Sequence, residues 1–162
     1  MAKSSKKQEK QQKNAKKTVD ISFNLNLNQT TKYIILAVIL ILSVILPYYY
    51  INFAYSVNHY FSFPLDDPWI HLQFARNIAE YGSFSYFKNE LVTAGSTSPI
   101  YTLILAAGFF ITKNEMWLSY IIGILFFSLS VFYFYKLSSD IFPKENWLVI
   151  AAALLLVFDK WL

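Results

Sequence analysis

The chain has 162 residues, of which 56% are hydrophobic and only 15% charged, with aromatic residues at 19% and a net charge of +4. Charged residues make up about a quarter of an ordinary soluble domain, so this composition points to a membrane protein. Cysteine is absent, which excludes a disulfide framework, a thiolate nucleophile and a cysteine metal site. Eight lysines against Glu9 and Asp20 give the first 32 residues a charge of +6, leaving −2 on the remainder. The high pI therefore describes the tail. No basic face with interleaved aromatics lies inside a folded region, so nucleic acid is excluded as a partner.

In chain order, residues 1–32 read as a basic cytoplasmic tail and linker. Met1 to Lys17 is rich in Lys, Gln and Ser and lacks the apolar residues needed to anchor a core, so it is expected to be disordered. Its lysines suit contact with anionic lipid head groups. Val19 to Leu27 alternates weakly and is assigned as linker. Asn28-Gln29-Thr30 matches a glycosylation sequon but falls on the cytoplasmic side of the expected topology.

The remainder, 33–162, reads as an all-α integral membrane region of about four transmembrane helices. The first span is 33–54: Ile34 to Leu46 carries no charge, and Tyr48, Tyr49 and Tyr50 cluster where the helix leaves the hydrocarbon. Pro47 is placed to kink it. The run is too long for a signal peptide, and no small-residue cleavage site follows. The lysine excess ahead of it places the N-terminus in the cytoplasm and the loop 55–97 outside.

Within that loop, Asp67-Pro68 marks a helix start and Gly82 a stop, predicting an amphipathic interfacial helix from Pro68 to about Tyr81. Ile70, Phe74, Ile78 and Tyr81 form its apolar stripe, widened by Trp69, Leu72, Ala75 and Ala79. His71, Arg76 and Glu80 fall on more polar faces, and the spacing lets Arg76 pair with Glu80. Ser98-Pro99 repeats the cap-and-proline pattern at the entry to the next span. Further spans are expected over 98–112, 116–135 and 147–162. A cytoplasmic turn is expected at Lys113-Asn114-Glu115 and an outside connection from Lys136 to Asn146. The lysines of that connection, Lys136 and Lys144, run against the positive-inside rule.

Three roles are open to the adjacent carboxylates Asp66 and Asp67. One can take a proton from an acceptor hydroxyl as a general base. Both can hold a divalent cation that neutralises a phosphate leaving group. Or Asp67 caps its helix and Asp66 is merely solvated, which is the simpler reading of two aspartates alone. His71 lies one helical turn after Asp67, the spacing of a carboxylate–histidine metal pair, but no third ligand is identifiable and a polar-face histidine is the plainer reading. Arg76 has the fork geometry for phosphate, against the blander pair with Glu80. Ser96, Thr97 and Ser98 offer hydroxyls and amides near a helix N-terminus. Without a P-loop lysine, that segment does not read as a nucleotide site.

The run DDPWIHLQFARNIAEYGSFSYFKNELVTAGSTSPIYTLILA resembles the first extracytoplasmic loop of GT-C-type glycosyltransferases. These are polytopic enzymes, among them protein O-mannosyltransferase-like and aminoarabinose-transferase-like members, that use polyprenyl-phosphate sugars. The shared pattern is the acidic pair, the aromatic-rich helix with Ala75-Arg76-Asn77, Gly82 followed by Phe84 and Tyr86, and the entry Thr97-Ser98-Pro99. The likeness covers about forty residues and says nothing of the sugar. It implies an inverting transfer to an extracytoplasmic acceptor. In it Asp66 is the base, and Asp67 is the second acid, orienting the site or contributing to metal binding. His71, Arg76, Ser96, Thr97 and Ser98 are candidate substrate contacts, and the bilayer and a polyprenyl-phosphate-linked sugar are the partners. Such enzymes have many more membrane helices, so the chain reads as the N-terminal part of a longer one. The alternatives are a small non-catalytic membrane scaffold and a lipid-phosphate-binding accessory protein.

Overall fold

The computed structural model describes residues 26–63, 65–88 and 90–159. The basic tail and most of the linker, and the calls made on them, lie outside the described residues. Those residues are all-helical, with no strand. Five helices follow in order: α1 (Gln29–Asn58), α2 (Asp67–Tyr81), α3 (Pro99–Gly108), α4 (Glu115–Ile141) and α5 (Asn146–Phe158).

The two long helices start on side-chain caps. Asn28 Oδ1 accepts the Thr31 N–H at 2.7 Å and Asn114 Oδ1 accepts the Trp117 N–H at 3.2 Å, each satisfying an otherwise orphaned amide. α1 continues through Pro47 and ends at His59, which adopts the left-handed conformation (φ 62°) and returns its N–H to Tyr55 O. With 30 and 27 residues, α1 and α4 are long and apolar enough to cross a membrane.

α1 and α4 run antiparallel. Near the start of α4, Tyr120 Oη donates to Ser62 O at 2.8 Å, just beyond the end of α1. Midway, Ser43 and Ser128 hydroxyls meet at 2.9 Å. At the other end Tyr135 Oη lies 3.5 Å from Lys32 O. α5 folds back along both, closing a core of Ile39, Val131, Tyr135, Val149, Ala153 and Val157. Small residues on α5 let the three backbones approach, and the serine pair satisfies two hydroxyls inside an apolar layer.

A second core lies at the end of the pair where α1 finishes. Leu72 and Ala75 of α2 pack on Leu105, Ala106 and Phe109, with Phe63, Leu118 and Ile122 around them. At this level the rings of Phe61, Phe63, Trp69, Trp117 and Tyr120 make a chain of edge-on contacts, with centroids 5.2–6.3 Å apart.

Three expectations are corrected. The segment expected to cross over 98–112 is helical only for the ten residues of α3, about 15 Å of helix against the roughly 30 Å of a hydrocarbon core. Beyond it the chain turns back towards α4, and Gly108 lies close against Leu118: a Cβ there would sit 2.6 Å from Leu118 Cδ1, so a larger residue would need that side chain to shift. Secondly, the Lys113–Glu115 turn lies at the same end of the long pair as the 55–97 loop, because Tyr120 and Glu115 touch that loop directly. Thirdly, α4 runs six residues past Tyr135, so Lys136 is helical and the connection to α5 shrinks to 142–145. That connection lies at the Lys32 end. α5 itself has 13 described helical residues, about 20 Å.

Candidate functional site

α2 is where the site is built. Its limits follow from local chemistry. Pro68 is favoured in the first turn, where its missing N–H costs nothing. Gly82 ends the helix in the left-handed conformation (φ 66°), its N–H reaching Ile78 O at 2.9 Å. The helix begins at Asp67, and Asp66 occupies the cap position. Neither carboxylate caps. Asp66 has right-handed helical angles (φ −83°, ψ −26°), whereas a capping side chain needs an extended backbone to reach the second or third amide. The expected cap by Asp67 is therefore corrected. Both aspartates are exposed, and neither makes a side-chain hydrogen bond or ion pair with the described residues.

His71, one turn on, turns inward, contrary to the polar-face expectation. It is 7% exposed. Its Nδ1 lies 3.0 Å from Ser96 Oγ and 3.1 Å from Thr102 Oγ1, its Nε2 lies 3.4 Å from Thr97 Oγ1, and its ring meets Tyr101 edge-on. Ser96 and Thr102 are themselves 2.7 Å apart, and Thr102 Oγ1 donates to Ser98 O at 3.2 Å. Thus His71, Ser96 and Thr97 do come together, but as a knot that ties the approach to α3 onto α2. Ser98 enters through its carbonyl, and its side chain does not cap α3. Both His71 nitrogens are taken up by these hydroxyls, and no group of three or more possible metal ligands forms around it and Asp67 among the described residues.

Arg76 is also already engaged. Its Nε and Nη2 bind the two Glu115 oxygens at 2.8 and 2.6 Å, and its Nη1 donates to Gln73 Oε1 at 2.9 Å. The expected pair with Glu80 is replaced by this contact across 39 residues. The hydrogen bond to Glu115 holds the guanidinium pKa above its ordinary value, with burial working the other way. The fork match favours a fixed geometry, yet both partners are partly exposed, at 39% and 26%. A double-mutant cycle of Arg76→Gln and Glu115→Gln, read by thermal unfolding in detergent, is expected to give a coupling of at most about 1 kcal/mol. A coupling of zero would mean that the pair does not hold α2 to α4.

The loop after α2 is pinned from below. Asn77, buried, donates to Ser85 O and Tyr86 O, both at 2.8 Å, and Gln73 adds a bond to Tyr86 O at 3.0 Å. Ser85 Oγ, also buried, donates to Phe87 O. Phe74 sits beneath Phe84 and Tyr86, and a Cβ on Gly95 would lie 2.9 Å from its ring. Beside Ile70 and Phe74 this leaves an open groove of about 390 Å³, whose wall includes Phe87, Thr93 and Glu90.

The chemistry left free is that of the aspartates. Two adjacent carboxylates can accept protons or interact with a cation. They do not by themselves make a divalent-metal shell, since no group of three or more His, Cys, Asp or Glu occurs among the described residues. Sequence reasoning missed Thr102, Glu115, Gln73 and Asn77 as structural partners. The one available signal was a lone hydroxyl, Thr102, and a lone acid, Glu115, each beside an apolar run. Compared with known proteins, the chain matches no protein-family model, no curated protein and no solved structure.

Proposed function

We propose that this chain is part of a multi-pass membrane glycosyltransferase of GT-C type, with a cytoplasmic N-terminus, that moves a sugar from a polyprenyl-phosphate donor to an extracytoplasmic acceptor. The observation that supports this reading is the pair of exposed carboxylates, without a side-chain partner among the described residues, at the start of a firmly packed loop helix, at one end of two membrane-length helices. A water-borne hydroxyl and a lipid-linked phosphate can meet at that level.

In this reading Asp66 takes the proton of the acceptor hydroxyl. The acceptor oxygen attacks the anomeric carbon from the face opposite the phosphate. The carbon–oxygen bond to phosphate breaks, polyprenyl phosphate leaves with the electron pair, and the configuration inverts. Asp67, in the first turn of α2, interacts favourably with the positive end of the helix and orients the site. The described residues supply only two adjacent carboxylates here, so a divalent cation would need further ligands from elsewhere. His71, Ser96 and Thr97 hold the loop, and Arg76 holds α4, so donor contacts fall to other groups.

The test is donor consumption. Membranes carrying the protein at its natural length are given radiolabelled polyprenyl-phosphate mannose and polyprenyl-phosphate aminoarabinose in turn. Release of polyprenyl phosphate above that of membranes lacking the protein is expected with one of them. No release with either donor would count against the proposal.

A further inference from the structure

We infer that α3 is an interfacial helix whose outer face lies in the lipid of the outer leaflet, so that the chain between the loop and α4 touches the bilayer without crossing it. The inference rests on the membrane part of the proposed function and is independent of the transfer chemistry.

The first support is geometric. Both ends of α3 are held at one end of the long pair. Its start is tied to α2 through the His71, Ser96 and Thr102 contacts, and the turn that follows it leads into Glu115, which binds Arg76 of α2. Ten residues cannot leave that level, cross about 30 Å of hydrocarbon and return.

The second is chemical. Thr102, Leu105 and Ala106 of α3, with Phe109 just after it, are buried on α2 and α4, while Ile100 and Leu103 of α3 and Phe110 and Ile111 of the following turn stand 52–88% exposed. No charge interrupts Pro99 to Thr112. On the buried side of α3, Gly108 lies against Leu118 of α4. The surface of α4, long and apolar enough for a membrane, is the surface lipid would cover. The neighbouring chain of rings, with Trp69, Trp117 and Tyr120, matches the aromatic level at which a protein meets head groups.

The third is charge. With α1 and α4 as the crossings, the 142–145 connection lies on the side of the lysine tail, and Lys136 and Lys144 join Lys32 there. The lysines that run against the positive-inside rule in a four-span arrangement obey it in this one, while Lys113 moves to the other side.

Labelling decides between the arrangements. The 162 residues contain no cysteine, so the unsubstituted protein sets the background. Lys113→Cys and Lys144→Cys change exposed side chains. In sealed, right-side-out vesicles of the native membrane, an impermeant maleimide is expected to label Lys113→Cys directly and Lys144→Cys only after permeabilisation. The reverse pattern would restore a crossing α3 and overturn the inference. A spin label on Leu103→Cys reports what covers the outer face. Relaxation by oxygen with protection from a water-soluble nickel chelate is expected, and equal relaxation by the chelate would mean that lipid does not cover α3. Neither readout depends on donor, acceptor or Asp66, so failure here leaves the transferase proposal to its own assay.

Discussion

Phe74→Ala is expected to destabilise the packing of the 83–95 loop on α2 by about 3–5 kcal/mol, the usual cost of removing a fully buried phenyl ring. Phe74 is 1% exposed, with Phe84 and Tyr86 above it at 5.2 and 6.0 Å between centroids and Gly95 pressed against its edge. The Gly95 backbone is fixed by the Ser96 contacts to His71 and Thr102, and Tyr86 is held through its carbonyl by Asn77 and Gln73. The expected result is proteolysis between residues 83 and 95 under conditions where the wild-type loop resists, with the α1, α4 and α5 core retained. That core contains none of Phe74, Phe84, Tyr86 and Gly95. A loop that stays resistant in the variant would show that Phe74 does not organise this region.

Local signals in the sequence were sufficient for α2. Asp-Pro opened it, Gly82 closed it, and the structure places its limits within one residue of that reading. The two long apolar helices were equally plain, because a long apolar run is legible without knowledge of its neighbours. What sequence did not show is where each face of α2 turns. The polar reading of His71 came from residue type, and burial of an imidazole depends on three hydroxyls arriving from 25 to 31 residues later. Likewise Glu80 was the expected partner of Arg76 because spacing along a helix is visible, whereas the Glu115 contact exists only once α3 has turned back at Gly108. The helix found in 98–112 is shorter than expected, and its apolar residues are not all on one face. Hydropathy counts apolar residues, and α3 divides its own between a protein face and an exposed one. The aspartates were found by sequence, but their freedom from capping follows from the backbone angles of Asp66.

The most direct test of the account is sugar transfer by Asp66→Asn in the protein at its natural length and in its native membrane. The substitution keeps shape and removes the basic oxygen. Asp66 makes no side-chain bond with the described residues, so no structural role is lost with it. Membrane insertion and thermal stability are therefore expected to match wild type, while transfer falls about 10²–10⁴-fold, the contribution of a positioned general base. Asp67→Asn serves as the neighbouring control. It weakens a favourable first-turn interaction of roughly 0.3–1 kcal/mol and is expected to slow transfer less. A normally inserted Asp66→Asn protein that transfers sugar at the wild-type rate would contradict the assignment of Asp66 as the base.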